Sequence, residues 1–179
     1  MPDSTALRLT GRDVLPLLHR TTSNALADLH PGGARATLFC DFRGRLLHRA
    51  VVAVAADGGV WLLRSDAPGA ELAAAVERMV FRDDVLIEDR SGEFAVVLAL
   101  AEPGDAGVLG ERDAVPLAVA TGDGTLLALD GRSPLSETAR ITRLAPRHGH
   151  EIAEAFNPFE VGLAHEVHLA KGCFTGQEA

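Results

Sequence analysis

The segment Lys171-Gly172-Cys173-Phe174-Thr175-Gly176-Gln177-Glu178 sets a thiol two residues from a cation, in a stretch punctuated by two glycines. A neighbouring cation favours the thiolate, the form that attacks electrophiles or binds metal. Glycines permit positive φ and let a ligand approach the backbone closely. The same Cys173 also reads as a small buried hydrophobe, the commonest use of an unpaired cysteine. Upstream, Asn157-Pro158-Phe159-Glu160 sets a carboxylate after a turn signal. One carboxylate can accept two adjacent N–H donors at once, which would fix the orientation of a ligand that presents them. It can equally charge the first turn of a short helix.

Four histidines, His148, His150, His165 and His168, lie in the C-terminal third. His165 and His168 fall on one face if that stretch is helical. A metal site would also need His148 or His150 to fold back onto them, and the spacing matches no established zinc pattern, so no metal is expected. Cys40 lies in the apolar run Thr37-Leu38-Phe39-Cys40 and reads as core. Two cysteines more than a hundred residues apart make neither a disulfide framework nor a four-thiolate cluster site.

The elements that position these residues follow from the apolar patterning. Strands are predicted at 5–9, 34–40, 45–55, 60–63, 85–87 and 94–100, with two more straddling Thr121-Gly122-Asp123-Gly124 and another at 140–144. Thr10 with Asp13 predicts a helix start before Val14, Leu15, Leu17 and Leu18, and Leu72, Val76, Met79 and Val80 form the apolar face of a second helix after Pro68. Residues 102–113 read as a surface loop. From residue 45 onward the order strand, strand, helix, strand, strand predicts an α+β fold with a helix packed on a sheet.

With 47% hydrophobic residues the chain of 179 can bury a substantial core, built from Ala, Val and Leu because only 4% is aromatic and tyrosine is absent. A net charge of −8 argues against direct nucleic-acid binding, so the basic clusters Arg43, Arg45, Arg49 and Arg140, Arg143, Arg147 read as solvated faces. No basic leader and no apolar run of about 18 residues is present, so no membrane span is expected and the default location is cytoplasmic.

Lys171-Gly172-Cys173-Phe174-Thr175-Gly176-Gln177-Glu178 resembles the Lys-Gly-Cys-Tyr-x-Gly-Gln-Glu signature of the YgfZ-type folate-binding proteins, relatives of the glycine-cleavage T-protein. Phe174 keeps the ring of the family's tyrosine without its hydroxyl. Asn157-Pro158-Phe159-Glu160-Val161-Gly162-Leu163 is similar to a segment common to both branches, and Leu9 to Asp13 with Thr22-Ser23-Asn24 looks like the family's opening helix and turn, with Ala25 where an aspartate is common. The resemblance implies an aminomethyltransferase folate-binding-domain-like fold of two subdomains with antiparallel sheets and packed helices. The first subdomain would comprise 1–47 and 115–179, and the second, ferredoxin-like, would be inserted as 48–114. The family's C-terminal barrel has no counterpart in these residues.

By the same resemblance, tetrahydrofolate or a derivative is the implied ligand. Glu160, Asn157, Phe174, Gly176 and Gln177 are the implied cofactor-binding residues, and Cys173 with Lys171 the functional thiol and its cation. The implied role is an accessory factor in iron–sulfur cluster assembly or repair, with iron–sulfur proteins as partners and links to tRNA-modifying enzymes. The T-protein enzymes carry paired aspartates after their Gly-Gly turn, whereas here Arg45-Leu46-Leu47-His48 follows Gly44. Without that carboxylate a transferase loses its natural acid/base. Aminomethyl transfer, or a structural module with no activity, are the alternative readings.

Overall fold

The computed structural model describes residues 4–129 and 131–178. Its centre is a five-stranded antiparallel sheet of β1 (Thr5–Thr10), β2 (Ala34–Cys40), β3 (Leu46–Val54), β4 (Val60–Arg64) and β5 (Leu86–Asp89), in the order β2-β3-β4-β1-β5. Residues 50–54 of β3 and all of β4 are buried, because this sheet is covered on both faces. That explains why these strands read as continuous apolar runs rather than alternating ones.

One face packs on helices α1 (Val14–Thr21) and α2 (Gly69–Glu77): Leu7, Leu9, Phe39, Val52 and Leu62 meet Leu17, Leu18, Leu72 and Val76. The opposite face sets Ala6, Val51, Ala53, Trp61 and Leu63 against Val119 and Leu127. Those two belong to a second antiparallel sheet of β6 (Val97–Leu100), β7 (Gly107–Val108), β10 (Ala118–Ala120) and β11 (Thr125–Ala128), ordered β6-β11-β10-β7. The stretch 102–113, expected to be a surface loop, contains β7 and a short strand β8 (Glu111–Arg112) that pairs with β9 (Val115–Pro116) just beyond it. The layers are helices, sheet, sheet, and the architecture is mostly antiparallel with few helices.

Two further expectations of local structure change. Residues 140–144 are not a strand, since α3 runs Glu137–Thr142. Ser136 caps it by accepting from the Ala139 amide at 3.2 Å, and Glu137 pairs with Arg140 one turn on. The first helix begins at Val14 with Asp13, not Thr10, at its N-cap position; Thr10 ends β1, and Asp13 makes no side-chain cap. Its carboxylate instead accepts from the Asp84 amide at 2.8 Å. The expected division between residues 47 and 48 falls within β3, which pairs with β2 and β4.

No helix among the described residues is long and apolar enough to cross a membrane.

Candidate functional site

A cleft of about 1060 Å³ opens between the two sheets, α3 and the segment that follows it. Arg49, Val51 and Leu63 form its floor, Leu98 and Leu100 line one wall, and Ile141 of α3 lines another. Alternation along β3 puts Arg49 on the same inward face as Val51 and Ala53. A cation there needs a partner, and Glu166 supplies it. Arg49 Nη2 donates to Glu166 Oε1 at 2.6 Å, and Nε donates to Oε1 and Oε2 at 2.9 and 3.0 Å. The Glu166 side chain is 2% exposed. The carboxylate holds the Arg49 guanidinium above its ordinary range against the opposing effect of burial, which is the larger single cause.

The backbone around Glu166 is fixed by the Thr22-Ser23-Asn24 turn. Ser23 Oγ donates to the Glu166 carbonyl at 2.7 Å and accepts from the Leu38 amide at 3.0 Å. Thr37 Oγ1 donates to Thr22 Oγ1 at 2.8 Å, and the Asn24 side chain donates to the Ala36 carbonyl at 2.8 Å. The turn thus ties the end of α1 to β2 and to the C-terminal segment. Leu38, Cys40 and Leu46 close the joint against Ile152 and Leu163.

Glu160 lines the cleft, and its chemistry is partly committed. Its Oε2 accepts from the Asn157 amide at 2.7 Å and from Arg45 Nη1 at 3.3 Å. Asn157 Oδ1 returns the contact by accepting from the Phe159 and Glu160 amides at 2.9 and 3.1 Å. This is the reciprocal arrangement of a capping box, so Asn157 and Glu160 shape their own turn. Both Glu160 contacts use the one oxygen.

Lys171, Cys173, Phe174, Gly176 and Gln177 gather elsewhere, in a loop seated on the end of α1 and on the hairpin Asp41–Gly44. Lys171 Nζ donates to the His19 carbonyl and lies 5.0 Å from the centre of the Phe174 ring. Burial lowers its pKa. His19 Nδ1 accepts from the Leu26 and Ala27 amides, so the neutral ring carries its proton on Nε2, which faces the Lys171 carbonyl at 3.3 Å. Gln177 accepts from the Phe174 amide and donates to the Leu169 carbonyl. Gly176 has φ +84°, and a Cβ there would sit 2.4 Å from the Asp41 carbonyl oxygen. Cys173 is exposed, whereas Cys40 is 5% exposed and burial pushes its thiol up to about 12. The thiol loop does not line the cleft; it flanks the hairpin whose Arg45 reaches Glu160.

Histidines and carboxylates do meet at two places. Asp123 and His165 approach Glu166, but Glu166 is held by Arg49, and Asp123 Oδ1 accepts from the Thr121 hydroxyl and Thr125 amide. His48, Glu71 and His148 form the second group. Arg64 Nη1 lies 3.2 Å from His48 Nδ1. A guanidinium only donates, so neutral His48 accepts on Nδ1 and carries its proton on Nε2, leaving no lone pair for an ion. An arginine stands in each group, and the donor sets do not fit a metal cation. His165 lies in the 3₁₀ turn Ala164–Glu166, which ends before His168, so those two do not share a helix.

Sequence reasoning passed over Arg49, Arg64, Asp66 and Asp123 as lining residues. Arg49 and Arg140, taken as solvated basic clusters, are paired instead, Arg140 with Glu137 and Glu151. The signal available was the phase of Arg49 on an apolar strand face, since a charge there is seldom buried unpaired.

An α+β fold with a cleft between two antiparallel sheets is thus the class that fold and site define. The chain is similar in structure to the glycine cleavage system aminomethyltransferase T from Bartonella henselae, with a TM-score of 0.68 and 15% sequence identity. The match covers 98% of this chain and 59% of that one, so the chain spans less than two thirds of that protein's length. At that identity the likeness shows the fold. No family model and no curated protein matches the sequence.

Proposed function

We propose that this chain is a folate-binding accessory protein of the YgfZ type, acting in iron–sulfur cluster assembly or repair through tetrahydrofolate and the Cys173 thiol. The observation that carries the reading is the cleft on an aminomethyltransferase-like fold, at about 1060 Å³ the size of a cofactor pocket, with apolar walls and the Glu160 carboxylate at its edge. In this reading the ring system of a reduced folate would lie among Leu98, Leu100 and Ile141. Glu160 would orient the pterin through Oε1, Oε2 being engaged in its own turn. The exposed Cys173, with Lys171 two residues away, would serve as the thiol that meets iron–sulfur partners, including enzymes that modify tRNA.

Aminomethyl transfer is disfavoured by His48, which occupies the stretch where the enzymes carry aspartates. It is 9% exposed, its Nδ1 faces Arg64, and burial followed by Arg64 lowers its pKa to about 4. A base so weak and so enclosed, on the face of β3 opposite Arg49 and outside the cleft lining, suits no proton transfer to a ligand there. The test is reactivation of an oxidatively damaged iron–sulfur enzyme by this protein with tetrahydrofolate. A folded Cys173→Ser variant is expected to lose the effect. Equal activity in that variant, or methylene transfer from an aminomethyl donor, contradicts the proposal.

A further inference from the structure

The imidazoles of His48 on β3 and His148 in the segment after α3 are stacked, with centroids 5.5 Å apart and planes 13° from parallel. Arg140 and Glu137 of α3 hold this part of the chain through Ala145, Glu151 and Arg147, and a few contacts fasten it to the rest of the molecule. The His148 amide donates to Asp66 Oδ2 at 2.7 Å, His148 Nε2 lies 3.7 Å from Glu71 Oε2, and Ile152 inserts beside Leu38 and Leu46. The same segment contributes Ala145, Pro146 and Glu151 to the cleft lining. We propose that the stacked His48–His148 pair is an acid-released latch: protonation undoes the attachment of residues 145–152 to β3 and opens that side of the cleft.

The surroundings of both rings favour the neutral pair. His48 accepts from Arg64 on Nδ1, and Phe39 meets its ring edge-on. Protonation there replaces a hydrogen bond with two donors face to face. His148 Nδ1 is buried without a partner, so a proton placed on it finds no acceptor. Arg64 and Arg78 oppose the charge at His48, and Arg64 opposes it at His148, where Asp66 and Glu71 favour it. Burial and Arg64 prevail at both, and both histidines titrate below their ordinary range. Two cations stacked beside a third repel.

The sign follows by linkage. A histidine whose pKa is depressed in the closed form keeps the attachment intact above about 6.5 and loses it as pH falls toward the closed-form value. With His48 at about 4 closed and about 6.5 open, going from about pH 7.5 to about pH 5 favours opening about thirtyfold through this ring alone. His148 adds to it. The latch is independent of what the cleft binds, so its failure leaves the folate reading standing.

Hydrogen exchange on the full chain, corrected for intrinsic rates, tests it. Protection at 147–152 is expected to fall about thirtyfold or more between those two pH values, while β1 and β4 amides hold theirs. His148→Phe keeps a ring in the stack without a proton, and its response is expected to be several-fold smaller. Unchanged protection in the wild type, or a full response in His148→Phe, overturns the latch. Should that variant not fold, NMR titration of the wild-type imidazoles decides: pKa values at or above the ordinary histidine range contradict it.

Discussion

Arg49 on β3 and Glu166 near the C-terminus, 117 positions apart, form a bidentate ion pair in which the carboxylate is almost fully enclosed. It joins the floor of the cleft to the segment that carries Glu160 on one side and Cys173 on the other. Removing one partner leaves the other's charge unpaired and largely withdrawn from solvent. Glu166→Ala is therefore expected to cost about 3–5 kcal/mol of unfolding free energy. The double variant Arg49→Met, Glu166→Leu is expected to recover much of that loss in a denaturant titration, because it leaves no unpaired charge.

The two thiols differ in accessibility, and a labelling reagent reads this directly. Cys173 is expected to react in the native state, whereas Cys40, buried at the end of β2 with its thiol pushed up to about 12, reacts only after denaturation. Cys40→Ser should leave native labelling unchanged, and Cys173→Ser should abolish it.

Gly176 and Gly172 both have positive φ, yet only one is pressed against backbone. A Cβ at Gly176 meets the Asp41 oxygen and Gly44, whereas at Gly172 it meets open space. Gly176→Ala is expected to cost about 1–3 kcal/mol and to expose residues 172–177 to hydrogen exchange. Gly172→Ala carries backbone strain alone and should cost less.

Lys171 is the contact that holds the thiol loop to α1. Lys171→Met keeps the apolar stem while losing the bond to the His19 carbonyl and the charge over Phe174. It is expected to raise exchange at 172–177 with a stability loss of about 1 kcal/mol. Unchanged exchange would show that Gly176 seats the loop by itself.

Much of the central sheet was legible because its cause is local. Ala34 to Cys40 is a strand between a Pro-Gly-Gly turn and a hairpin turn, and the sequence reads that way. Leu72 and Val76 mark the buried face of α2 for the same reason. The cleft was less legible, because it depends on which strand faces meet which. Arg49 looks like any arginine in a basic stretch until Val51 and Ala53 are seen to share its face, and only pairing across 117 positions reveals Glu166. The 140–144 stretch misled because Ile141 and Leu144 suit a strand by composition, while Ser136 and Glu137 just before them start a helix; both apolar residues end up exposed, at 56% and 85%, along the cleft. Glu160 was open to two readings, ligand recognition or turn capping, and its Oε2 serves the turn.

The most direct test of the account is anaerobic calorimetric titration of this chain with tetrahydrofolate beside a folded Glu160→Gln variant. Saturable binding that weakens in the variant is the predicted result, since the substituted amide keeps the turn's acceptor and loses the carboxylate charge. Absence of binding, or binding of equal strength in both proteins, would contradict a folate site oriented by Glu160.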